Sequence, residues 1–393
     1  MHHNRLAALV VAANLVVLTV AGADLATAST MVLVDVTLAV LVRQQYLINL
    51  LFRLATSAPP TWPLRVRRTL GKVYHFGGLH VGGAVCAMAW FVVVAVAPNG
   101  ADGAAPRVLA WTILALLVAM VVFALPGLRA RFHDRFERTH RFGGWAVLAL
   151  FWAHAALAVP GPLLRSADFW VLLVVLVSVA LPWLRLRRVP VLIETPSSHV
   201  ALVRFDHGVT PFAGSSTAVS RSPLVEWHSF ANVPAPDQHG FRLTISRSGD
   251  WTGALIDDRP SHLWVKGVPT AGVGNIDRLF TRVIWVATGS GIGPCLPHLL
   301  AGQVPSRLVW STRDPLRTYG DALVDEILDV QPDAVIWDTD AAGKPDLLRL
   351  AYQAYHEFDA EAVICISNKR TTWHIVEELE VRGIPAYGAI WDS

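Results

Sequence analysis

Cysteine is scarce in this chain, and the few cysteines present are far apart. Cys86, Cys295 and Cys365 are the only three among 393 residues, and no two of them form a CxxC pair. A disulfide scaffold needs an even set of closely spaced cysteines, and a cysteine zinc site needs paired ones. The sequence therefore indicates neither, and it favours a reducing compartment for the hydrophilic part of the chain.

A strong excess of charge of one sign is also absent. Lys and Arg number 33 against 30 Asp and Glu, which gives a formal net charge of +3. The arginines cluster beside apolar runs, a pattern typical of membrane flanks rather than of nucleic-acid binding. Hydrophobic residues make up 53% of the chain and its mean hydropathy is +0.43, which is high for a soluble protein.

The apolar residues are concentrated in the first half of the chain. Six runs, each near the ~20 residues that cross a bilayer, lie at 6–24, 31–52, 71–97, 107–128, 140–159 and 167–185. The basic residues fall in alternate connections: Arg53, Arg65, Arg67, Arg68 and Lys72, then Arg129, Arg131, Arg135, Arg138 and Arg141, then Arg185, Arg187 and Arg188. Because such connections face the cytoplasm, we predict an all-α six-helix domain over 1–188 in the plasma membrane, with both termini cytoplasmic.

Histidines in the third and fifth runs have a spacing that suits haem ligation. His140 and His154 are fourteen residues apart, so they lie within about 40° of one helix face and about 21 Å apart along the axis. Fourteen residues beyond His75 stands Ala89, and His80 lies too shallow to face His154. We therefore predict at most one b-type haem, its iron held by His75 and His140. The alternative is that His140 merely lies at the membrane edge.

The second run contains polar residues at mid-membrane depth, where an unpaired charge is costly. They are Arg43, Gln44, Gln45 and Asn49. Two partners for Arg43 stay open: Asp35, eight residues earlier, or an anionic cofactor group such as a haem propionate.

After about residue 190 the pattern becomes that of an ordinary α/β protein. The alternating segments HVALVRF, RLTISRS and HLWVKG predict a small antiparallel β-barrel over 195–275. From residue 282 the strand segments RVIWVAT, RLVWST, AVIWDT and AVICIS are each followed by a helical pattern. This alternation predicts a doubly wound parallel sheet over 280–393.

A glycine-rich turn follows the first of these strands and opens a helix. It runs from Thr288 through Gly289, Gly291 and Gly293 to Pro294. Glycines at this place let backbone N–H groups approach a pyrophosphate at the helix N-terminus. The sequence therefore predicts a dinucleotide site held by these five residues.

The next strand carries a cation and not an acidic residue at its end. It closes with Ser311, Thr312 and Arg313. An NADH site usually presents a carboxylate to the ribose there, whereas an arginine suits the 2′-phosphate of NADPH. We therefore predict that Arg313 binds that phosphate.

Several motifs of the second half resemble the ferredoxin-reductase superfamily, particularly the ferric reductases and NADPH oxidases. PLVEWHSFA is similar to their HPFT flavin motif, with Ser229 for the proline and Ala231 for the threonine, and GDWT is similar to the segment that supports the flavin pyrophosphate. The resemblance implies FAD bound by His228, Ser229, Phe230, Gly249, Trp251 and Thr252. It also implies catalytic roles for Cys365 beside the nicotinamide and for Trp391 on the flavin ring.

Over most of residues 220–393 the chain resembles more specifically the TmpA-type membrane proteins of fungi. EWHSFA, SGDWT, VATGSGIGPCLP, GKPD and RGIPAYGAIWDS carry this resemblance. It implies an NAD(P)H:acceptor oxidoreductase that passes electrons from NADPH through FAD to a haem, or to a small-molecule, quinone or metal acceptor. The alternative is a non-catalytic redox sensor that binds dinucleotide in the membrane. That alternative is favoured by the loss of the HPFT threonine and of the Gly-Pro after Cys365.

Overall fold

The computed structural model describes residues 2–97, 104–158, 161–234 and 239–389. Its backbone forms two units, each described separately below. The helical unit comprises 1–47 and 75–184, and the barrel–sheet unit comprises 48–74 and 185–393. The predicted boundary at 188 is therefore wrong for one stretch, because 48–74 belongs with the second half of the chain.

Within the described residues, nine α-helices precede the first strand. They are α1 (His2–Ala21), α2 (Leu25–Leu41), α3 (Gln45–Ala55), α4 (Leu64–Leu70), α5 (Gly77–Val96), α6 (Ala104–Ala124), α7 (Pro126–Arg131), α8 (His133–Ala158) and α9 (Ala167–Leu184). Most of α3 and all of α4 lie in the barrel–sheet unit.

Six continuous membrane spans are not confirmed in the described residues. Four helical stretches are long and apolar enough to cross a membrane: His2–Ala21, Leu64–Val96, Ala104–Ala124 and Ala167–Leu184. The predicted second span is broken, because α2 and α3 are bent by 74° and count as a fifth span only if taken together. The break falls at Arg43 and Gln44, and the Gln44 side chain accepts a hydrogen bond from the backbone of Tyr46. A side chain that bonds the backbone in this way competes with helix continuation.

A polar network lies inside the otherwise apolar helical unit. Asn14 donates to Asp35 at 3.2 Å and accepts from the Trp90 indole at 2.7 Å. Asp35 is only 2% exposed. Asp35 therefore has Asn14 as its hydrogen-bond partner, and the ion pair that was considered between Asp35 and Arg43 is not among those of the described residues.

In the part of the chain that the structure describes, seven strands build an antiparallel barrel. They are β1 (Leu186–Ser197), β2 (Val200–Phe205), β3 (Ser215–Ser220), β4 (His228–Ala231), β5 (Phe241–Ser246), β6 (His262–Lys266) and β7 (Thr270–Ala271), with α10 (Asp250–Asp258) after β5. The strand order is β4-β3-β6-β1-β2-β5, and β7 pairs with β3. Paired backbone hydrogen bonds between Val233 and Arg242 join the end of β4 to β5, so the barrel is nearly closed.

The barrel begins earlier than predicted. β1 starts at Leu186, directly after α9, and pairs with β6 from Leu186↔Lys266 onward. Arg185, Arg187 and Arg188 were interpreted as membrane flanks, but two of them lie in this strand. Exposure alternates along much of β1, as in a strand that has one face packed on a core. The arginines obscured this alternation in the sequence.

The remaining strands form a parallel sheet, as predicted. They are β8 (Val283–Thr288), β9 (Ser306–Thr312), β10 (Val335–Asp338), β11 (Ala362–Ile366) and β12 (Ala386–Gly388), in the order β10-β9-β8-β11-β12. The helices between them are α11 (Ile292–Ala301), α12 (Pro315–Tyr319), α13 (Asp321–Val330), α14 (Thr339–Ala342), α15 (Leu347–Glu357) and α16 (Lys369–Val381). β8 and β11 are buried throughout or nearly so, as expected of central strands covered on both faces.

The stretch 48–74 packs on both parts of this unit. Arg67 is 5% exposed and makes a bidentate ion pair with Glu361, at 2.6 and 3.0 Å. Asn49 donates to the carbonyl of Pro269 and accepts from the backbone N–H of Ala271 in β7. Asn49 thus contacts the barrel, and the prediction that it lies at mid-membrane depth is wrong. Arg67 is likewise a buried structural cation rather than a solvated membrane flank.

The Arg67–Glu361 pair predicts an acid-sensitive contribution to stability. The hydrogen bonds from Arg67, opposed by burial and assisted by Thr281, hold the pKa of Glu361 below its ordinary value of 4.5. A carboxylate with a lowered folded-state pKa stabilises the fold above its unfolded pKa, and this contribution is lost as the pH falls through the folded value. We expect Glu361→Gln to lower the free energy of unfolding by about 1–3 kcal/mol at pH 7, and the difference from wild type to shrink below pH 4.5.

The measurement is thermal and denaturant unfolding of the full chain in detergent at pH 7 and at stepwise lower pH. Glu357→Gln is the matched control, because Glu357 is 67% exposed and pairs with Arg307 at 3.5 Å; a surface pair of this kind contributes little. A Glu361→Gln effect no larger than the control, or one that grows as the pH falls, contradicts the prediction.

Candidate functional site

The candidate site lies where the order of the parallel sheet reverses, between β8 and β11. Ligands of open parallel sheets bind at this switch point, outside the carboxyl ends of the strands. Thr288 closes β8 and Ser367 follows β11, and their hydroxyl oxygens are 2.5 Å apart. Ser367 is fixed further by Thr372, whose hydroxyl accepts from its N–H at 3.2 Å and donates to its carbonyl at 3.0 Å. Two hydroxyl groups therefore stand at the crevice.

The predicted glycine turn lies at the same edge. Gly289 has φ +48°, which favours glycine. A Cβ on Gly291 would overlap the carbonyl oxygen of Ile366, so the turn is pressed against the end of β11. A Cβ on Gly293 would lie 3.4 Å from Thr244 of the barrel. Pro294 stands in the first turn of α11, where the missing N–H is not needed.

Arg313 is exposed immediately beyond the end of β9. Its carbonyl accepts from the Thr318 hydroxyl at 2.8 Å, which fixes the backbone there. Asp338 at the end of β10 accepts from the N–H groups of Asp314 and Asp340, and these bonds lower its pKa. Asp338 is thus held by backbone donors, and the exposed Arg313 side chain lies at the same corner of the sheet.

The structure corrects the prediction for Cys365. Its side chain is fully buried in the core of the sheet, together with Ile284 and Ala386. Burial raises the pKa of the thiol to about 12, so it stays protonated and away from the crevice at neutral pH. Ser367, two residues further along, occupies the strand end instead.

The strand that carries the predicted flavin motif presents stacked rings. The His228 ring lies 4.2 Å from that of Trp251 with 27° between their planes, and the Phe230 ring lies 6.0 Å from Trp251 with 22° between them. Ser229, between the two β4 residues, is exposed. Trp251 therefore joins the ring cluster, although the sequence placed it with the pyrophosphate segment. Flat, nearly parallel rings of this kind suit stacking with another aromatic system.

Glu226 organises the loop before β4. One of its carboxylate oxygens accepts from the Ser220 hydroxyl and from the N–H groups of Arg221 and Ser222, and the other lies 3.1 Å from His228. Burial by itself would raise the pKa of Glu226, but the hydrogen bonds from His228 and from the loop hold it below its ordinary value. Glu226 is thus an anion that orients His228.

Gly249 and Thr252 form the start of α10. The Thr252 hydroxyl accepts from the N–H groups of Ser248 and Gly249 and donates to the Gly249 carbonyl. Nothing lies within 4 Å of a Cβ on Gly249. The hydroxyl of Thr252 is therefore committed to the turn, and the groups that remain for an anion are the backbone N–H groups at the helix N-terminus.

In the helical unit the histidines meet differently from the prediction. The His140 ring lies 6.0 Å from His80, not opposite His75, whose ring lies 5.6 Å from His2. Phe91 contacts both Phe151 and His154. The pairs 80–140 and 91–151 share an offset of 60 residues, so α5 and α8 run parallel in a register five residues away from the predicted one.

Trp391 lies outside the described residues. The sequence prediction did not assign Ser367 or Glu226 to the site, and it set His80 aside as a haem ligand. Ser367 carries a signal that could have been used, because it directly follows the last strand residue beside the glycine turn. The roles of Glu226 and His80 depend on loop conformation and helix register, which no local pattern specifies.

Comparisons with known proteins give relatives that are much longer than this chain. Residues 273–393 match the family described as adenylate-forming reductase 03009, C-terminal domain. Two curated proteins of Coprinopsis cinerea, adenylate-forming reductases 03009 and 06235, are 43% and 41% identical over 378 residues. The match covers 92% of this chain and 37% of each relative, so the chain spans little more than a third of their length.

Among solved structures the similarity covers about half of this chain. A ferredoxin NADP+ reductase from Neisseria gonorrhoeae with bound FAD and NADP has 13% identity and a TM-score of 0.43 over 52% of this chain and 99% of that one. The ferredoxin reductase of carbazole 1,9a-dioxygenase has 16% identity and a TM-score of 0.41, over 52% and 70%. A ferredoxin-NADP+ reductase mutant from Plasmodium falciparum with 2′P-AMP has 10% identity and a TM-score of 0.40, over 52% and 95%.

Proposed function

We propose that this chain is an FAD-dependent oxidoreductase that takes electrons from NADPH and delivers them to an acceptor at or in a membrane. The observation that carries the proposal is the glycine turn at the β8–β11 switch point, pressed against β11 and lying 3.4 Å from the barrel at Gly293. This arrangement puts a dinucleotide-type turn next to a barrel that carries stacked aromatic rings. A donor nucleotide and a flat cofactor can therefore share one crevice.

The curated relatives support the same class of reaction. Both are named as reductases, and both align with nearly the whole of this chain. What they reduce is a property of proteins almost three times as long.

The residues of the barrel fit FAD. The rings of His228, Phe230 and Trp251 provide the stacking surface, and the exposed Ser229 lies between two of them on β4. The N-terminus of α10, opened by Gly249, suits a pyrophosphate. When bound there, FAD would supply hydride acceptance and one-electron release. Glu226 orients His228, and Thr252 fixes the turn.

NADPH is the donor that the sheet edge favours. Thr288, Gly289, Gly291 and Gly293 allow a pyrophosphate to approach α11, and Pro294 is tolerated in the first turn because an N–H is not needed there. The exposed guanidinium of Arg313 suits the 2′-phosphate because a planar fork binds phosphate oxygens in pairs. The Thr288–Ser367 hydroxyl pair offers both a donor and an acceptor at the inner end of the crevice.

In the helical unit we propose that one b-type haem is held by His80 and His140. The ring centres of His80 and His140 are 6.0 Å apart, and these two imidazoles would hold the iron, which would supply one-electron transfer. The Nδ1 of His80 is bonded to the carbonyl of Ala39 at 2.8 Å, which leaves Nε2 for a metal. His75, whose ring lies 5.6 Å from that of His2, is not one of the two ligands.

The proposal also includes a membrane location for the chain and an electron acceptor there. Four apolar helical stretches among the described residues support a lipid bilayer as the partner of the helical unit, and the plasma membrane with cytoplasmic termini stays a prediction. A small-molecule, quinone or metal acceptor fits this location. The motifs quoted above support membership of the TmpA-type branch near the ferric reductases.

A non-catalytic redox sensor is the second candidate. The burial of Cys365 favours it, because this thiol lies in the core of the sheet and not at its edge. Anaerobic mixing with NADPH separates the two candidates. An oxidoreductase bleaches its flavin absorbance within the time of a turnover, whereas a sensor binds NADPH without bleaching.

Removal of the Arg313 guanidinium should weaken NADPH much more than NADH. We expect Arg313→Ala to lower NADPH affinity by roughly tenfold to a hundredfold, as for one lost charged hydrogen bond of about 1.5–3 kcal/mol, with NADH affinity changed less than threefold. Isothermal titration with both nucleotides measures this. Arg382→Ala is the control, because Arg382 ends α16 and pairs with Glu378. Equal losses for the two nucleotides would mean that Arg313 does not bind the phosphate.

Loss of the central ring of the stacked cluster should release flavin. We expect denatured wild-type protein to yield close to one FAD per chain, and Trp251→Ala to yield less than a third of that, since stacking contacts of this size are worth about 1 kcal/mol or more. Fluorescence and chromatography of the supernatant quantify it. Trp337→Ala, in β10, should leave the FAD content unchanged. A wild-type protein without FAD after reconstitution excludes the flavoprotein proposal.

The histidine register gives a direct test of the haem proposal. We expect His80→Ala and His140→Ala each to abolish haem binding, because one imidazole alone retains iron weakly, while His75→Ala leaves it intact. A pyridine haemochrome assay on protein expressed with ample haem measures the content. Haem lost in His75→Ala but kept in His80→Ala would restore the register inferred from sequence, and no haem in wild type would reject the site.

A further inference from the structure

The residues 62–74, here called the docking segment, cover the outer edge of the parallel sheet. β12 is the last strand, and its inner edge pairs with β11. On its outer edge Lys72 donates to the carbonyl of Ala386 at 2.8 Å, and the backbone N–H of Gly388 donates to the Tyr74 hydroxyl at 3.4 Å. Two side chains of the docking segment thus bond the backbone groups that an edge strand leaves open.

The docking segment also fixes the side chain of Tyr387, which lies between Ala386 and Gly388 in β12. The Tyr387 hydroxyl donates to the carbonyl of Arg68 at 3.2 Å, and the Lys72 ammonium lies 4.4 Å from the Tyr387 ring centre. Lys72 also pairs with Glu380 of α16 at 2.5 Å. The Lys72 ammonium therefore has three contacts, with the Ala386 carbonyl, with Glu380 and with the Tyr387 ring. These contacts link β12 to α16 and hold the strand against that helix.

From β12 the contacts continue to the proposed nucleotide crevice. A Cβ on Gly388 would overlap the Thr372 methyl group and lie 3.1 Å from the carbonyl of Cys365, so Gly388 packs directly on both. Thr372 holds the backbone of Ser367 through two hydrogen bonds, and Ser367 bonds Thr288. A continuous line of contacts thus joins the docking segment to the switch point.

We propose that the docking segment is a positioning element of the nucleotide site, with Lys72 and Tyr74 as its positioning residues. They hold β12 in place, and β12 in turn holds Thr372 and the Ser367–Thr288 pair. This rests on the proposed function in so far as the crevice binds NADPH.

A purely structural role makes a different prediction. If the segment only stabilised the fold, Lys72 variants would lower the unfolding midpoint and leave the nucleotide affinity of folded protein unchanged. Contacts that carry coupling typically change ligand affinity by about two- to thirtyfold without touching the ligand. Affinity measured on folded, FAD-loaded protein therefore separates the two roles.

The experiment measures NADP+ affinity of the full chain in detergent by isothermal titration. Lys72→Met and Tyr74→Phe should each weaken NADP+ binding by roughly three- to tenfold, with FAD content unchanged. Lys72→Arg should retain near wild-type affinity because it keeps the cation. Arg65→Met is the matched control, since Arg65 is an exposed cation on α4 of the same segment.

A double-mutant cycle with Ser367→Ala then tests the line of contacts. If Lys72 acts through Ser367, the combined loss of affinity will be clearly smaller than the product of the two single losses. Independent, multiplicative losses would overturn the proposal, as would an Arg65→Met variant that is as weak as Lys72→Met.

Hydrogen exchange keeps this inference separate from the proposed function. In Lys72→Met the amides of Gly388 and Ser367 should exchange faster, while those of the barrel strand β2 should not change. If wild type binds no NADP+, the proposed function fails, and the exchange pattern alone decides whether the segment positions the strand. Unchanged exchange at Gly388 and Ser367 would overturn the positioning role in either case.

Discussion

The carbonyl oxygen of Ile366 lies where a side chain on Gly291 would have to be. This close approach of turn and strand fixes the N-terminus of α11 beside the end of β11, and the candidate site is built around it. The hydroxyl groups of Thr288 and Ser367 can bond because this approach holds the ends of β8 and β11 close together. Any residue larger than glycine at this place would push the turn away from the sheet and open the crevice.

The same constraint explains which groups face the ligand. β11 is buried on both faces, so Cys365 points into the core, while Ser367 just beyond the strand is also buried and bonds Thr288 across the switch point. On the barrel side, Glu226 uses its charge to fix a loop and the ring of His228, and Trp251 stacks on that ring. Polar groups with committed partners, such as Thr252 and Asp338, serve as supports, whereas Arg313 and Ser229 remain exposed.

The stretch 48–74 shows how a charge pattern can be misinterpreted. In the sequence analysis its arginines were counted as a membrane flank and used to orient the predicted helices in the membrane. In the structure Arg67 is buried against Glu361, and Lys72 bonds Glu380 and β12. Asn49 bonds β7. The positive-inside rule counts charges without their partners, and these partners lie some 200 to 300 residues away in sequence. The parallel sheet is thus completed by residues that precede a long apolar helix.

The sequence by itself determined the elements with strong local periodicity: the apolar helices, the barrel strands β2, β5 and β6, the parallel strands β8 to β11, and the glycine turn that opens α11. These follow from side-chain alternation, run length and the backbone freedom of glycine, which are local properties. Only the tertiary structure decided the bend at Arg43, the pairing of His80 with His140, the burial of Cys365 and the docking of 48–74 on the sheet. Each of these depends on a register or on a partner distant in the chain, and packing selects among alternatives that have the same local pattern.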